Sequence, residues 1–125
     1  MLRKITILAI ALLTAVPALA HHPFGATYVQ EKMVQVEGKL VEFDYRNPHS
    51  FIQLEAQDEN GKTVRWSAVW AAAAQLGTQG VTVRTLKYGD VVTITGNPGR
   101  QSDDHRIRLV SIQRKRGDFS WGAKR

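Results

Sequence analysis

The stretch VQVEGKLVEFDY, residues 34–45, carries two hydrophobic phases. Val34, Val36 and Leu40 share one parity, Val41, Phe43 and Tyr45 share the other, and Gly38 sits where the first set would continue. Alternation with a period of two is the pattern of a strand with one buried face. A change of parity beside a glycine points to a bend or bulge, because one inserted residue turns every later side chain to the opposite face. The segment therefore predicts one long strand that curves and changes which of its sides it buries.

The rest of the chain supplies partners for such a strand. RNPHS (46–50) is turn chemistry, with Pro48 keeping Asn47 out of the helical region. FIQLEAQ (51–57) alternates, with Ile52, Leu54 and Ala56 on one face. Asp58-Glu59-Asn60-Gly61 is a hairpin turn, and KTVRWSAVW (62–70) a third strand, with Val64, Trp66 and Ala68 facing one way. AAAAQLG (71–77) predicts a short helix, since alanine is a strong helix former and Gly77 a natural stop. VTVRTL (81–86) reads equally as an extended segment or a connector. KYGD (87–90) is a tight turn, VVTITG (91–96) a fourth strand, NPGRQSDDH (97–105) a polar loop and RIRLVSI (106–112) a fifth strand. The expected fold class is all-β with one short helix, a small five-stranded OB-fold-like barrel, because closure removes most exposed edges. A simpler sandwich or half-barrel is the rival.

The first twenty residues have the layout of an export signal. Arg3 and Lys4 form a positive head, residues 5–16 are apolar apart from Thr6 and Thr14, and Pro17 precedes the small-residue site Ala18-Leu19-Ala20. The apolar run is shorter than the roughly 20 residues a spanning helix needs. A cut after Ala20 leaves 105 of the 125 residues, beginning His21-His22-Pro23-Phe24; a cut after Ala18 would instead put His21 third. The expected organisation is a signal over 1–20, an N-terminal arm over 21–33, the barrel over 34–113 and a basic C-terminal tail over 114–125.

Charge and cysteine content narrow the function classes. The 17 basic and 11 acidic residues give +6; Arg3 and Lys4 belong to the signal, so the remainder carries +4. A mildly basic exported chain is open to anionic lipid or acidic glycans, whereas nucleic acid is disfavoured by the periplasmic compartment. The absence of cysteine excludes disulfides, thiolate metal sites and thiol catalysis.

Four segments together resemble one family: HHPF (21–24), GKLVEFDYRNPHS (38–50), VRWSAV (64–69) and LKYGDVVTITGNP (86–98). The chain is similar to a widespread group of short exported bacterial proteins forming a domain of unknown function. Pro23 stands where that family has serine, and WAAAAQLG is milder than its helix region. The resemblance implies an exported OB-like module and no activity.

Candidate chemistry rests on few residues. If the chain begins at His21, the free amine and ring of that residue can chelate one ion, and His49 or His105 would supply a further nitrogen; His22 is a competing ligand. Such imidazole-rich sites suit copper. The competing reading makes the histidine pair an exposed arm and His49 a turn residue. Asn47, His49, Ser50 and Trp66 are candidate ligand-binding residues, because OB barrels bind ligands near the loop joining their first two strands. Asn47, His49 and Ser50 equally suit a loop hydrogen-bonded to itself, and Trp66 and Trp70 suit core and core-edge positions. Arg106, Arg108, Arg114, Lys115 and Arg116 form a basic run, read either as a solvated face and tail or as an adhesion surface for anionic membrane. No plausible nucleophile is paired with a base, so the expectation is a non-catalytic binding module, with a periplasmic copper-binding protein as the alternative and a copper redox enzyme ranked last.

Overall fold

In the computed structural model, which describes residues 24–122, the phase change along the first strand is a β-bulge. Strand β1 spans Val34–Asp44, and its ladder with β2 (Phe51–Gln57) breaks between Leu40 and Glu42, making Val41 the extra residue. Leu40 is buried before the bulge, and Phe43 and Tyr45 pack on the core after it. The sequence placed this switch beside Gly38, and it falls at Val41 instead. Gly38 serves the bend differently: a Cβ there would lie 2.7 Å from the Glu55 carbonyl oxygen and 3.2 Å from the Leu54 Cβ. Only a bare backbone lets β1 press this closely on β2.

The bend lets β1 serve two neighbours. Its first half pairs antiparallel with β4 (Val91–Pro98), from Val34–Gly96 to Lys39–Val91; its second half pairs with β2, from Lys39–Glu55 to Asp44–Phe51. The turn after β2 is pinned by Asp58, whose Oδ1 accepts the backbone N–H groups of Asn60 and Lys62, each at 2.9 Å. Strand β3 (Thr63–Val69) then runs back along β2, and β4 pairs with β5 (Arg106–Arg114). Three parallel pairs, Ser67–Arg106, Ala68–Ile107 and Val69–Arg108, join β5 to β3 and close the barrel. A second bulge, at Thr95/Gly96, leaves Val110 unpaired and so keeps both Leu109 and Ile112 inward. Gly96 is required there, because a Cβ would run into the Arg108 carbonyl.

The core is aliphatic, built from Leu40, Ile52, Leu54, Val92, Ile94, Ile107 and Ile112 with Trp70 beside them. The β3–β4 connection adds to it. Helix α2 (Ala73–Thr78) inserts Leu76, and the turns that follow bury Val81 and Leu86, so VTVRTL is a connector with two core anchors. The Tyr45 hydroxyl lies 2.9 Å from both the Ala73 and Val81 carbonyl oxygens, tying the connection to the end of β1.

Two segments outside the expected barrel are more ordered than the sequence indicated. In the arm, Phe24–Thr27 makes one helical turn, α1, and Tyr28 is buried and bridged to Gly99. In the tail, Ser120–Gly122 forms β6 against Ser111–Gln113 of β5, and Phe119 and Trp121 pack on the core. The lysines and arginines of QRKRGDFSWGAKR suggested a solvated tail; the alternating Phe119 and Trp121 after the Gly117-Asp118 turn form a hairpin instead. The expected export signal over 1–20 lies outside the described residues. No helix among the described residues is long and apolar enough to cross a membrane.

Candidate functional site

The loop between β1 and β2 owes its shape to Ser50. Its buried hydroxyl sits 3.2 Å from both the backbone N and the carbonyl O of Arg46, its backbone N–H donates to Ala71 and its carbonyl accepts from Trp70. Asn47 Oδ1 accepts the Ala74 N–H at 3.0 Å, so this side chain caps the first turn of α2. Asn47 and Ser50, two of the four candidate ligand-binding residues, are thus engaged in holding the loop and helix together. His49, between them, is left exposed.

The arm reaches His49 along the β4–β5 loop. Val29 N–H donates to the Pro98 carbonyl at 2.9 Å, Arg100 N–H to Thr27 at 2.9 Å and Arg100 Nε to the Gly25 carbonyl at 2.7 Å. The buried Asn97 amide donates to the Gln30 and Lys32 carbonyls at 3.2 and 2.8 Å. These bonds lay the arm along the β4–β5 loop and bring Phe24 over the outer side of β5. The Arg108 guanidinium carbon lies 4.1 Å from the Phe24 ring centre, and the His49 ring meets Phe24 edge-on at 5.9 Å. Burial pushes the Tyr28 phenol above its ordinary pKa, with the positive charges of Arg106 and Arg108 pulling the other way.

Phe24, His49, Trp70, Arg108 and Trp121 wall a groove of about 290 Å³, with Pro48, Gln75 and small residues of the α2 approach completing it. Trp70 is buried edge-on against Trp121 at 5.2 Å, and its indole N–H has no hydrogen-bond partner among the described residues. The groove thus combines flat apolar walls with an imidazole and a guanidinium.

Trp66 and His105 form a separate pair. Trp66 packs half-buried on the core, and the His105 ring meets it edge-on at 5.0 Å. His105 sits at a left-handed backbone position (φ 47°) after a 3-10 turn, Ser102–Asp104, and its carbonyl accepts the Ser67 N–H. Trp66 and Trp70 are four residues apart along extended chain, roughly 13 Å by strand rise. His105 is at the first and His49 at the second, so the structure does not bring the two histidines together. His21 and His22 lie outside the described residues. Among the described residues no cluster of three or more His, Cys, Asp or Glu side chains could hold a metal ion.

The basic run is also divided. Arg106 lies 3.9 Å from Asp104, Arg114 3.6 Å from Asp90 and Lys115 3.2 Å from Glu37, while Arg108 is turned onto Phe24. Sequence reasoning missed Phe24, Arg108 and Trp121 as groove residues. Trp121 was detectable from its alternation with Phe119, but the role of Phe24 depends on where the arm docks and has no local signature.

A five-stranded barrel closed by a β3–β5 parallel pairing, with a helix between β3 and β4, defines an OB-fold protein. The chain belongs to a family of unknown function (DUF6152), which it matches over residues 9–108. No curated protein matches it. Among solved structures, it is similar to the mitochondrial single-stranded DNA binding protein Rim1 of S. cerevisiae, with a TM-score of 0.52 and 11% identity over 70% of this chain and 96% of that one. The protein PriB from Ralstonia solanacearum matches with a TM-score of 0.37 and 14% identity over 67% of this chain and 97% of that one. The likeness to Rim1 is one of fold.

Proposed function

We propose that this protein is an exported, non-catalytic binding module whose ligand occupies the groove between Phe24, His49, Trp70 and Arg108. The observation that carries this reading is the arm, whose contacts with the β4–β5 loop and Asn97 put Phe24 opposite the β1–β2 loop. OB barrels take ligands near that loop and the β4–β5 loop. The groove chemistry suits a small ligand with a flat apolar body and one negative group, stacked between rings and paired with Arg108. Native mass spectrometry of untagged protein from the periplasm of an expressing cell tests it. The reading expects a bound small molecule that is lost from Arg108→Gln while the fold is retained. Wild type and variant both emerging ligand-free, and both failing to bind an aromatic carboxylate such as 4-hydroxybenzoate, would overturn it.

A second reading, copper binding, draws support from the contact of Phe24 with His49. Three residues of extended chain span about 10 Å, enough for an amine and ring at His21 to reach the His49 ring. This reading expects chain that begins at His21 to take one copper(II) with nitrogen ligands, His49→Ala to alter its electron paramagnetic spectrum, and His105→Ala to leave it unchanged. Identical spectra for wild type and His49→Ala would remove it.

A further inference from the structure

On the outer face of β1, β4, β5 and β6 lies a larger groove, of about 480 Å³, within the ordinary size range of ligand sites. Cross-strand pairing sets its floor. One row runs Gln35–Thr95–Ser111, and the next carries Thr93, Gln113 and Ser120. Met33 and Val110 are among the apolar residues that complete its lining. No lining residue is charged, in a chain of which 22% of residues are charged. The neighbouring Glu37 and Lys115 pair with each other at 3.2 Å, so the flank adds no net charge.

We infer that this groove is a binding site for an uncharged, hydroxyl-rich carbohydrate chain. Six side chains converge in it as hydroxyls or amides, groups that both donate and accept hydrogen bonds, as vicinal sugar hydroxyls do. Among the described residues none of the six is engaged in a side-chain hydrogen bond, so their capacity is free for a ligand. The Trp121 indole takes no part in this floor: Trp121 pairs with the buried Ile112, so its ring lies on the core side against Trp70. A polyanion such as nucleic acid is held chiefly through lysine and arginine, and none lines the groove. A protein partner is a poorer fit, since interface cores are depleted in serine and enriched in aromatics and arginine. The face differs from the β2–β3 side that OB barrels use for oligosaccharides, and the inference stands independently of the groove beside His49.

The test is a nuclear magnetic resonance titration of the full mature chain with two neutral probes, cellohexaose and chitohexaose, and with a heparin hexasaccharide. The expected result is saturable shifts at Thr93, Thr95, Ser111 and Gln113 with at least one neutral probe, and none there with the anionic one. Thr95→Val, nearly isosteric on a solvent-facing row, is expected to weaken that binding roughly three- to tenfold, the worth of one neutral hydrogen bond. Gln113→Leu serves as a second variant if the first disturbs the amide spectrum. Absence of shifts with both neutral probes, shifts produced at these residues by heparin alone, or shifts confined to the Phe24–His49 groove would each overturn the inference.

Discussion

Replacing Asn97 by alanine tests whether the arm is an integral part of the fold. The side chain is 7% exposed and donates to two arm carbonyls, Gln30 at 3.2 Å and Lys32 at 2.8 Å. A typical net hydrogen bond contributes about 0.5–1.5 kcal/mol, so the pair amounts to roughly 1–3 kcal/mol. For a domain of this size, 1 kcal/mol lowers the melting temperature by about 4–8 °C. Urea denaturation and amide exchange should therefore agree. The midpoint falls without a change in slope if the arm still folds, and the Val29 amide, which donates to Pro98, loses protection ahead of the core strands. Asn97→Asp sharpens the test. A carboxylate facing two carbonyls is disfavoured, so its folded-state pKa is raised above the unfolded value. Its protonated form is tolerated, and stability is lost as pH rises from about 4 through that raised value. Unchanged stability in Asn97→Ala together with unchanged Val29 exchange would refute the claim that this amide docks the arm.

Two further outcomes follow from other parts of the barrel. Gly38→Ala places a methyl group 2.7 Å from the Glu55 carbonyl oxygen and is expected to cost about 1–3 kcal/mol in urea denaturation, a full stability loss that relaxation of β1 only partly relieves. The Tyr28 phenol, raised by burial, favours the neutral form in the fold; its contribution is present below the unfolded value near 10 and is lost as pH rises through the folded one. Tyr28→Phe should flatten that alkaline fall in stability, which thermal melts between pH 9 and 11 can follow.

The barrel was legible in the sequence because its governing features are local. Strand alternation, the phase switch along β1 and the turn residues at Asn47-Pro48 and Asp58–Gly61 each announce themselves within a few positions. The exact bulge residue was less legible, since Val41 is apolar and fits either phase. The second bulge, at Val110, had no glycine beside it on its own strand; the needed glycine, Gly96, lies on the neighbouring strand. Candidate sites fared according to how far apart their parts lie. His49 stood out as a loop histidine, but its neighbours Phe24, Arg108 and Trp121 come from the arm, β5 and β6, and only the docked chain brings them together. Asn47 and Ser50 were open to two readings, ligand contact or a loop hydrogen-bonded to itself, because turn-forming and ligand-binding residues share the same polar chemistry. Burial of Ser50 and the Asn47 bond to Ala74 give both of them structural work.

Phe24 and Trp121 stand near opposite ends of the described chain and on the rim of one groove. The two ends of the described chain therefore meet at the same opening, and a segment attached beside either residue emerges there. A polyhistidine tag would deliver six imidazoles beside His49 and generate a metal site of its own making. A bulky reporter domain at the C-terminus would shade the same opening. Purification without tags, or with a tag removed to the last residue, is thus part of obtaining a meaningful binding measurement on this protein.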